Sequence, residues 1–292
     1  MSQPALTIAS LLADPRLERA CRTWLKGGRY QLEDLGRLAD PVQVLEQRRD
    51  AFDVVLLQQG SLAPEVVEGL RRQGLLLPAV VVGEVSGRIE YHEAEVHLPQ
   101  DQLEQIAYSV DAAVSRFLRQ GVQAAGGGDP AAASAATGAA VTPEGWRLPN
   151  RLQGRLGYLG IFYKRDPSLF LRNLPQPERQ ELLGSLERSY RDLLISYFKD
   201  PAAANQAIES FVHTAFFSDL PITKVVEIHV DLIDVFWKQL KLEGHKNDFL
   251  QDYRLALLDV LAHLCEMYRR SIPPEGAVGS AASGQSPSQE VI

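Results

Sequence analysis

The segment Asp53-Val54-Val55-Leu56-Leu57-Gln58 decides the fold of the first half of this 292-residue chain. Its four central residues are all apolar, so the run does not alternate between polar and apolar side chains. An unbroken apolar run of this kind is typical of a strand that is covered on both faces within a parallel sheet. Val80-Val81-Val82 is a second run of the same type.

Apolar runs alternate with helical patterns on both sides of this strand. The predicted strands are residues 6–11, 30–34, 54–57, 80–82 and 96–98. The predicted helices are residues 14–26, 42–47, 64–73 and 103–118. Strands that alternate with helices predict a doubly wound parallel sheet of the α/β class. Residues 85–95 have no clear helical pattern, so a loop can replace the helix there.

The order of these elements resembles that of response-regulator receivers, which need a phosphate-accepting Asp, an acidic pair for Mg²⁺ and a Lys. Gln58 stands where the Asp is needed, and Leu98 stands in place of the Lys. An amide is a far weaker nucleophile than a carboxylate and brings no negative charge to Mg²⁺. The first strand also ends at Leu11-Leu12 without an acidic pair. Residues 1–121 are therefore predicted to form a pseudo-receiver that docks or senses and transfers no phosphate.

The chain beyond residue 150 carries helical patterns only. The predicted helices are residues 151–164, a segment from Pro175 or Pro177 to 198, residues 205–217, residues 221–242 and a last one from Asp252. Helices joined by short turns predict an all-α bundle of four or five helices over residues 151–272. Leu220-Pro221 can break one long helix into two or kink it.

The fourth of these helices is apolar on more sides than one small bundle can cover. Its candidate interface residues are Val225, Val226, Ile228, Phe236 and Trp237. Because the first three point in different directions, we expect the bundle to dimerise through this helix. A groove at such an interface would suit a helix or tail of a partner.

The last helix presents its polar residues in one line. Asp252, Asp259, His263, Glu266 and Arg270 follow one another at intervals of seven, four, three and four residues. At 3.6 residues per turn they share one face, while the other sides are mainly apolar. This helix can therefore be buried over most of its circumference and still present one charged stripe.

Composition sets the domain boundaries and excludes several classes of function. Residues 122–150 are rich in Gly and Ala and predict a flexible linker, and residues 273–292 predict a disordered tail. A net charge of −7 argues against a general nucleic-acid binder. No apolar run approaches the ~20 residues of a membrane span, and the N-terminus lacks a signal-peptide pattern. The two cysteines lie in different halves, so we expect no disulfide framework and a cytoplasmic location.

Three segments of the second half resemble one family. They are Leu156-Gly157-Tyr158-Leu159-Gly160-Ile161-Phe162-Tyr163-Lys164-Arg165-Asp166-Pro167, Phe170-Leu171-Arg172-Asn173-Leu174-Pro175, and Ala215-Phe216-Phe217-Ser218-Asp219-Leu220-Pro221-Ile222-Thr223-Lys224-Val225-Val226-Glu227-Ile228-His229. In this order they are similar to the KaiA family of cyanobacterial circadian clock proteins. The specificity comes from the length and order of the matches, since no short catalytic motif is involved.

The resemblance implies a homodimeric regulator that is not an enzyme and requires no cofactor. It implies that the C-terminal segment of the kinase KaiC is held near His263, with Asp259 and Glu266 as neighbours and Arg254 as a weaker candidate. Binding of the exposed segment would stimulate KaiC autophosphorylation, and KaiB would capture the protein in an inactive arrangement. The family also implies that the pseudo-receiver can respond to oxidised quinones.

Two alternatives follow from particular residues. The chain can be a redox or quinone sensor whose helical half is an output dimeriser, and Cys21 beside Arg22 is a candidate redox thiol, although a packing role is favoured. The acids of the last two helices, together with His263, can be considered as metal ligands. Because the chain has no Glu-x-x-His pair, solvated faces or salt bridges explain these acids better and no metal is expected.

Overall fold

The computed structural model describes residues 6–25, 29–38, 40–72, 74–126, 165–242 and 252–271. Its first half contains one five-stranded parallel sheet with the strand order β2-β1-β3-β4-β5. The strands are β1 (Leu6–Leu11), β2 (Tyr30–Asp34), β3 (Val54–Gln58), β4 (Ala79–Val82) and β5 (Val96–Leu98). This is the flavodoxin-like order of doubly wound sheets, so the predicted α/β fold class is confirmed.

The helices of the first half lie close to their predicted positions. They are α1 (Pro15–Trp24), α2 (Pro41–Gln47), α3 (Pro64–Arg72) and α4 (Ile106–Gly126). Asp14 and Asp40 cap the first two, because their carboxylates accept hydrogen bonds from the backbone N–H groups of Arg16 and Gln43. Residues 85–95 contain no helix, as their sequence pattern indicated.

The second half contains four α-helices in the part of the chain that the structure describes. They are α5 (Gln176–Ser196), α6 (Pro201–Phe217), α7 (Ile222–Leu242) and α8 (Arg254–Ser271). The start of α6 lies four residues before the predicted one, since the Asp200 carboxylate caps it through Ala202 and Ala203. Leu220-Pro221 separates α6 from α7, and Asp219 before it takes a left-handed φ of 55°. The chain therefore breaks here into two helices.

The first ten residues of helix α4 are buried on all sides. Every residue from 105 to 115 is buried, although a surface helix would expose one face. One face packs on the sheet and the other packs on α6, so one core cluster includes both Val80 of β4 and Phe211 of α6. The two predicted domains therefore share a continuous core.

Gln105 makes the polar centre of this contact between the halves. Its amide nitrogen donates to the hydroxyls of Ser185 and Ser189 at 2.8 and 2.6 Å. Its amide oxygen accepts from the hydroxyl of Thr214 at 2.7 Å. All four residues are buried, so each hydrogen bond replaces one that water would otherwise make.

We expect Gln105→Ala to lower the free energy of unfolding by about 1–3 kcal/mol, because three buried hydroxyls each lose one hydrogen bond. Urea unfolding of the full chain measures this change. Gln100→Ala is the matched control, since Gln100 is exposed and should change stability by less than about 0.5 kcal/mol. Equal effects of both substitutions would mean that the hydrogen bonds of Gln105 do not stabilise the contact between the two halves.

The first residues of the predicted linker belong to a helix in the structure. Helix α4 continues to Gly126, five residues into the predicted linker, and alanines at 124 and 125 are strong helix formers. The rest of the predicted linker, the predicted helix 151–164 and the tail 273–292 lie outside the described residues. The domain boundaries of the sequence analysis stay a prediction.

Candidate functional site

Gln58 lies at the carboxyl end of β3, where its side chain holds the loop into α1. Its Oε1 accepts hydrogen bonds from the backbone N–H groups of Ala13 and Asp14 at 3.0 and 3.1 Å. Leu98, at the end of β5, is fully buried in the core of the sheet. The two positions that would carry a receiver's nucleophile and its lysine therefore carry a structural amide and a packing residue.

Cys21 lies inside α1 and is fully buried. Burial, together with the nearby Glu18 carboxylate, raises the pKa of its thiol to about 12. A thiol in this state is a poor nucleophile at neutral pH. The structure therefore favours the packing interpretation of Cys21 over the redox one.

The stripe keeps its predicted line on α8 from Asp259 to Arg270, while Asp252 lies just before the helix. His263 is exposed, as are Asp252 and Arg270. The Nδ1–H of His263 donates to the carbonyl oxygen of Asp259 at 2.9 Å, which leaves Nε2 as the ring nitrogen that a ligand can reach. The Asp259 carboxylate accepts from the hydroxyl of Tyr197 at 2.9 Å. Glu266 accepts from Arg269 and Arg270, and these hydrogen bonds lower its pKa to about 2.

These contacts show which of the predicted partner-binding residues can still form a new hydrogen bond. Asp259 and Glu266 are already engaged with side chains of this chain, so His263 is the member with the most capacity for a new hydrogen bond. Arg254 begins α8 and lies nine residues before His263. At 100° per residue it points to the opposite side of the helix, so the structure does not bring Arg254 to the stripe.

The candidate dimer residues on α7 fall on two faces. Val225 and Ile228 are buried in the core of this chain, so we correct their assignment: they stabilise the bundle itself and are not available to a partner. Phe236 is half-buried against the same core, and Val226 is half-buried. Trp237 is 39% exposed, and Lys241 lies over its ring at 4.8 Å.

An apolar stripe that is only partly covered lies beside the buried face of α7. Its residues are Ile222, Val226, Val230, Ile233 and Trp237. Their spacing of four, four, three and four residues places them within one arc of the helix. Val230 is 56% exposed, and Ile222 and Trp237 are also classed as exposed. Sequence reasoning named two of these five, because periodicity alone does not say which apolar arc the bundle covers.

Sequence reasoning also missed the surroundings of His263. A groove of about 420 Å³ lies between α4, α6 and α8, and Arg119, His213 and His263 line it together. No spacing could have indicated this groove, since its residues come from three separate segments. Among the described residues, no three His, Cys, Asp or Glu side chains are grouped so that they could hold a metal ion.

A receiver-like sheet without receiver chemistry, packed against a helical bundle with a charged stripe, defines a protein of two parts, a pseudo-receiver and a helical bundle. A family model described as "Circadian clock protein KaiA, N-terminal domain" matches residues 6–121, and one described as "KaiA C-terminal domain" matches residues 154–275. The chain belongs to the KaiA family of circadian clock proteins, so the resemblance seen in the sequence is confirmed.

Individual relatives match over nearly the whole chain. The circadian clock oscillator protein KaiA of Parasynechococcus marenigrum is 56% identical over 98% of this chain and 95% of its own length. KaiA of Synechococcus elongatus is 44% identical over 87% of this chain and 93% of its own length. The crystal structure of the C-terminal domain of Thermosynechococcus elongatus KaiA is 49% identical and covers 36% of this chain and 100% of its own, with a TM-score of 0.32.

A helix that crosses a membrane needs about 20 mainly apolar residues in succession. None of the described helices combines the length and the apolar character that crossing a membrane requires.

Proposed function

We propose that this protein is a clock regulator whose helical half binds the exposed C-terminal segment of KaiC and stimulates KaiC autophosphorylation. The observation that carries the proposal is the exposed His263 on the α8 stripe of a chain that belongs to the KaiA family. Its Nε2 can accept a hydrogen bond from an amide or basic side chain of the bound segment. The groove beside it supplies a concave surface for an extended peptide.

Stimulation follows from a shift of population. If the KaiC segment exchanges between a folded-in state and an exposed state, a regulator that binds only the exposed state shifts KaiC toward it. The shift is limited by the difference in affinity for the two states. The regulator therefore needs no catalytic group, which agrees with the replacement of the receiver nucleophile by Gln58.

We further propose that two chains associate through the partly covered apolar stripe on α7. Five apolar side chains in one arc, with Val230 more than half exposed, leave a surface that a second copy can bury. A second copy also repeats the His263 stripe, so a dimer offers two sites for KaiC segments. Capture by KaiB, which would close the feedback loop, belongs to the same proposal.

His263→Ala is expected to weaken binding of the KaiC C-terminal segment by roughly 3–10-fold, the worth of one hydrogen bond at an exposed site. The rate of KaiC autophosphorylation at a subsaturating concentration of the full chain should fall by the same factor. Cys265→Ala is the matched control, because Cys265 is exposed on another face of the same helix. Unchanged binding by His263→Ala, with Cys265→Ala also unchanged, would remove His263 from the site.

An oxidised quinone as a ligand of residues 1–121 stays a prediction. Trp24 at the end of α1 is the natural reporter, since quinones quench indole fluorescence on contact. A titration that quenches Trp24 in a saturable manner would support a sensor role for this half.

A further inference from the structure

A crevice of about 710 Å³ lies at the carboxyl ends of three neighbouring strands, where the sheet half of the chain meets the bundle. Gln59, Gly83 and Pro99 line it, directly after β3, β4 and β5 end. Its other wall belongs to α5 and α6 and includes Asp192 and Ser210. Open parallel sheets of this class bind their ligands outside the carboxyl ends of their strands. We call this space the carboxyl-edge crevice.

Ser210 gives the carboxyl-edge crevice an unsatisfied polar group. The residue is only 7% exposed, and its hydroxyl makes no hydrogen bond with any residue that the structure describes. Buried serines on α4 differ, since Ser115 donates to the carbonyl oxygen one turn before it. Ser210 borders this crevice and a second, smaller cavity, and its oxygen is not sealed from them as the Nδ1 of His213 is. A buried hydroxyl that opens into a cavity without a partner indicates a polar occupant.

Three carboxylates line the crevice without a cation to neutralise them. They belong to Glu84, which follows β4, to Asp101 and to Asp192 of α5. None of the three forms an ion pair with a lysine or arginine side chain in the described part of the chain. The described residues that line the crevice also include no lysine and no arginine. These charges favour a cationic occupant and disfavour an anionic one.

Two arginines of α5 act on one of these carboxylates from outside the crevice. Partial burial raises the pKa of Asp192, and the charge of Asp101 raises it too, whereas the charges of Arg191 and Arg188 lower it. Arg188 is itself paired with Glu104, at 3.3 Å. Because the pKa of Asp192 is raised on balance, burial and repulsion outweigh the two arginines, and a cation inside the crevice would relieve the repulsion.

The backbone that carries Glu84 is held in place by Gln59. The amide oxygen of Gln59 accepts a hydrogen bond from the backbone N–H of Glu84 at 2.6 Å, and its amide nitrogen donates to the Glu84 carbonyl oxygen at 3.2 Å. Gly83 leaves the room for this side chain, since a Cβ at Gly83 would lie 2.4 Å from the Cβ of Gln59. The edge of the sheet therefore fixes where the Glu84 carboxylate begins, before any ligand binds.

We propose that the carboxyl-edge crevice binds a linear polyamine, an organic cation whose ammonium groups are joined by methylene chains. An ammonium group has N–H donors and no acceptor, so it suits walls of carboxylate, amide and hydroxyl oxygens. Val85 and Ala207 supply apolar surface for the methylene groups. A metal ion fits less well, because the described residues contain no group of three His, Cys, Asp or Glu side chains that could hold one.

The position of the crevice connects this ligand to the arrangement of the two halves. Glu84 belongs to the sheet half, while Asp192 and Ser210 belong to the bundle. A ligand that contacts both walls binds the docked arrangement better than a separated one and stabilises it by mass action. The concentration of the polyamine therefore biases the docking of the halves.

Calorimetric titration of the full chain with spermidine, at constant ionic strength and without KaiC, tests this proposal. We expect saturable binding that Glu84→Gln and Asp192→Asn each weaken about threefold, since each removes one partly solvated charge pair. The double variant should weaken binding about tenfold if the two sites act independently. Glu65→Gln is the matched control, because Glu65 is an exposed glutamate of α3 outside the crevice and its loss should leave the affinity unchanged.

Three results would overturn the proposal. The first is no saturable heat up to about 10 mM spermidine, a limit that corresponds to a very weak interaction. The second is equal weakening by Glu84→Gln and Glu65→Gln, which would indicate attraction by the net charge alone. The third is equally tight binding of Mg²⁺ with the same dependence on Glu84 and Asp192, which would identify a metal site. Because KaiC is absent, failure here leaves the KaiC-binding proposal unaffected.

Discussion

Replacing Arg29 with methionine is expected to lower the free energy of unfolding at pH 8 by about 3–5 kcal/mol, the cost of leaving one partner of a buried ion pair alone. Arg29 donates to both carboxylate oxygens of Asp111 on α4, at 2.7 and 3.1 Å. The Asp111 side chain is only 1% exposed. Arg29 also contacts Asp166, at 3.2 Å, so the same cation ties the second half to the sheet.

The pH dependence of this effect has a definite sign. Burial raises the pKa of Asp111 to about 6, although the charge of Arg29 opposes the rise. A carboxyl whose pKa is raised in the folded state binds more protons there, so its contribution to stability falls as the pH rises from about 4 to about 6. Without Arg29 this pKa rises further. The loss of unfolding free energy caused by Arg29→Met should therefore be larger at pH 8 than at pH 5, where Asp111 is mostly protonated in both proteins.

Urea unfolding of both proteins at the two pH values measures this difference. Arg37→Met is the control, since Arg37 forms an exposed pair with Asp34 and should cost less than about 1 kcal/mol at either pH. If Arg29→Met lowers the free energy of unfolding equally at pH 5 and pH 8, the unpaired charge of Asp111 is not the cause of the loss.

Val230→Glu is expected to raise the dissociation constant of the proposed dimer at least about 100-fold, which corresponds to about 2.8 kcal/mol at 1.4 kcal/mol per tenfold change. A glutamate carboxylate in the middle of the apolar stripe would lose its hydration if a second copy covered it, which carries a high free-energy cost. Val230 is 56% exposed in the single chain, so the substitution leaves the core of the bundle intact.

Sedimentation over a series of concentrations measures the dissociation constant. Ile89→Glu is the matched control, because Ile89 is 57% exposed on the pseudo-receiver and receives the same change of charge. Stimulation of KaiC should fall with dimer formation in Val230→Glu and remain in Ile89→Glu. A Val230→Glu protein that stays dimeric would place the interface on another face.

Much of the candidate site could be predicted from the sequence, but only as far as one helix at a time. The line of Asp259, His263 and Glu266 follows from helical spacing, and the structure keeps it. The pairs of Glu266 with Arg269 and Arg270 are also local, since these residues lie three and four positions apart on one helix. The spacing did not say that the hydroxyl of Tyr197 engages Asp259, because Tyr197 comes from a distant part of the chain.

The sequence by itself determined the fold class, the order of the elements and the loss of receiver chemistry. Buried parallel strands produce unbroken apolar runs, helices produce a period of 3.6, and Gln58 and Leu98 can be read at single positions. These are local properties of the chain, so they can be recognised without knowing which segments pack against each other.

Only the tertiary structure decided how the two halves meet and which apolar faces are left over. It buried α4 between the sheet and α6, and it placed Val225 and Ile228 inside while Val230 stayed exposed. It also brought Arg119, His213 and Arg270 to one groove. The physical reason is that burial lowers free energy in proportion to the apolar area removed from water, whichever surface removes it. A sequence pattern therefore shows that a face will be covered, and only the packed structure shows what covers it.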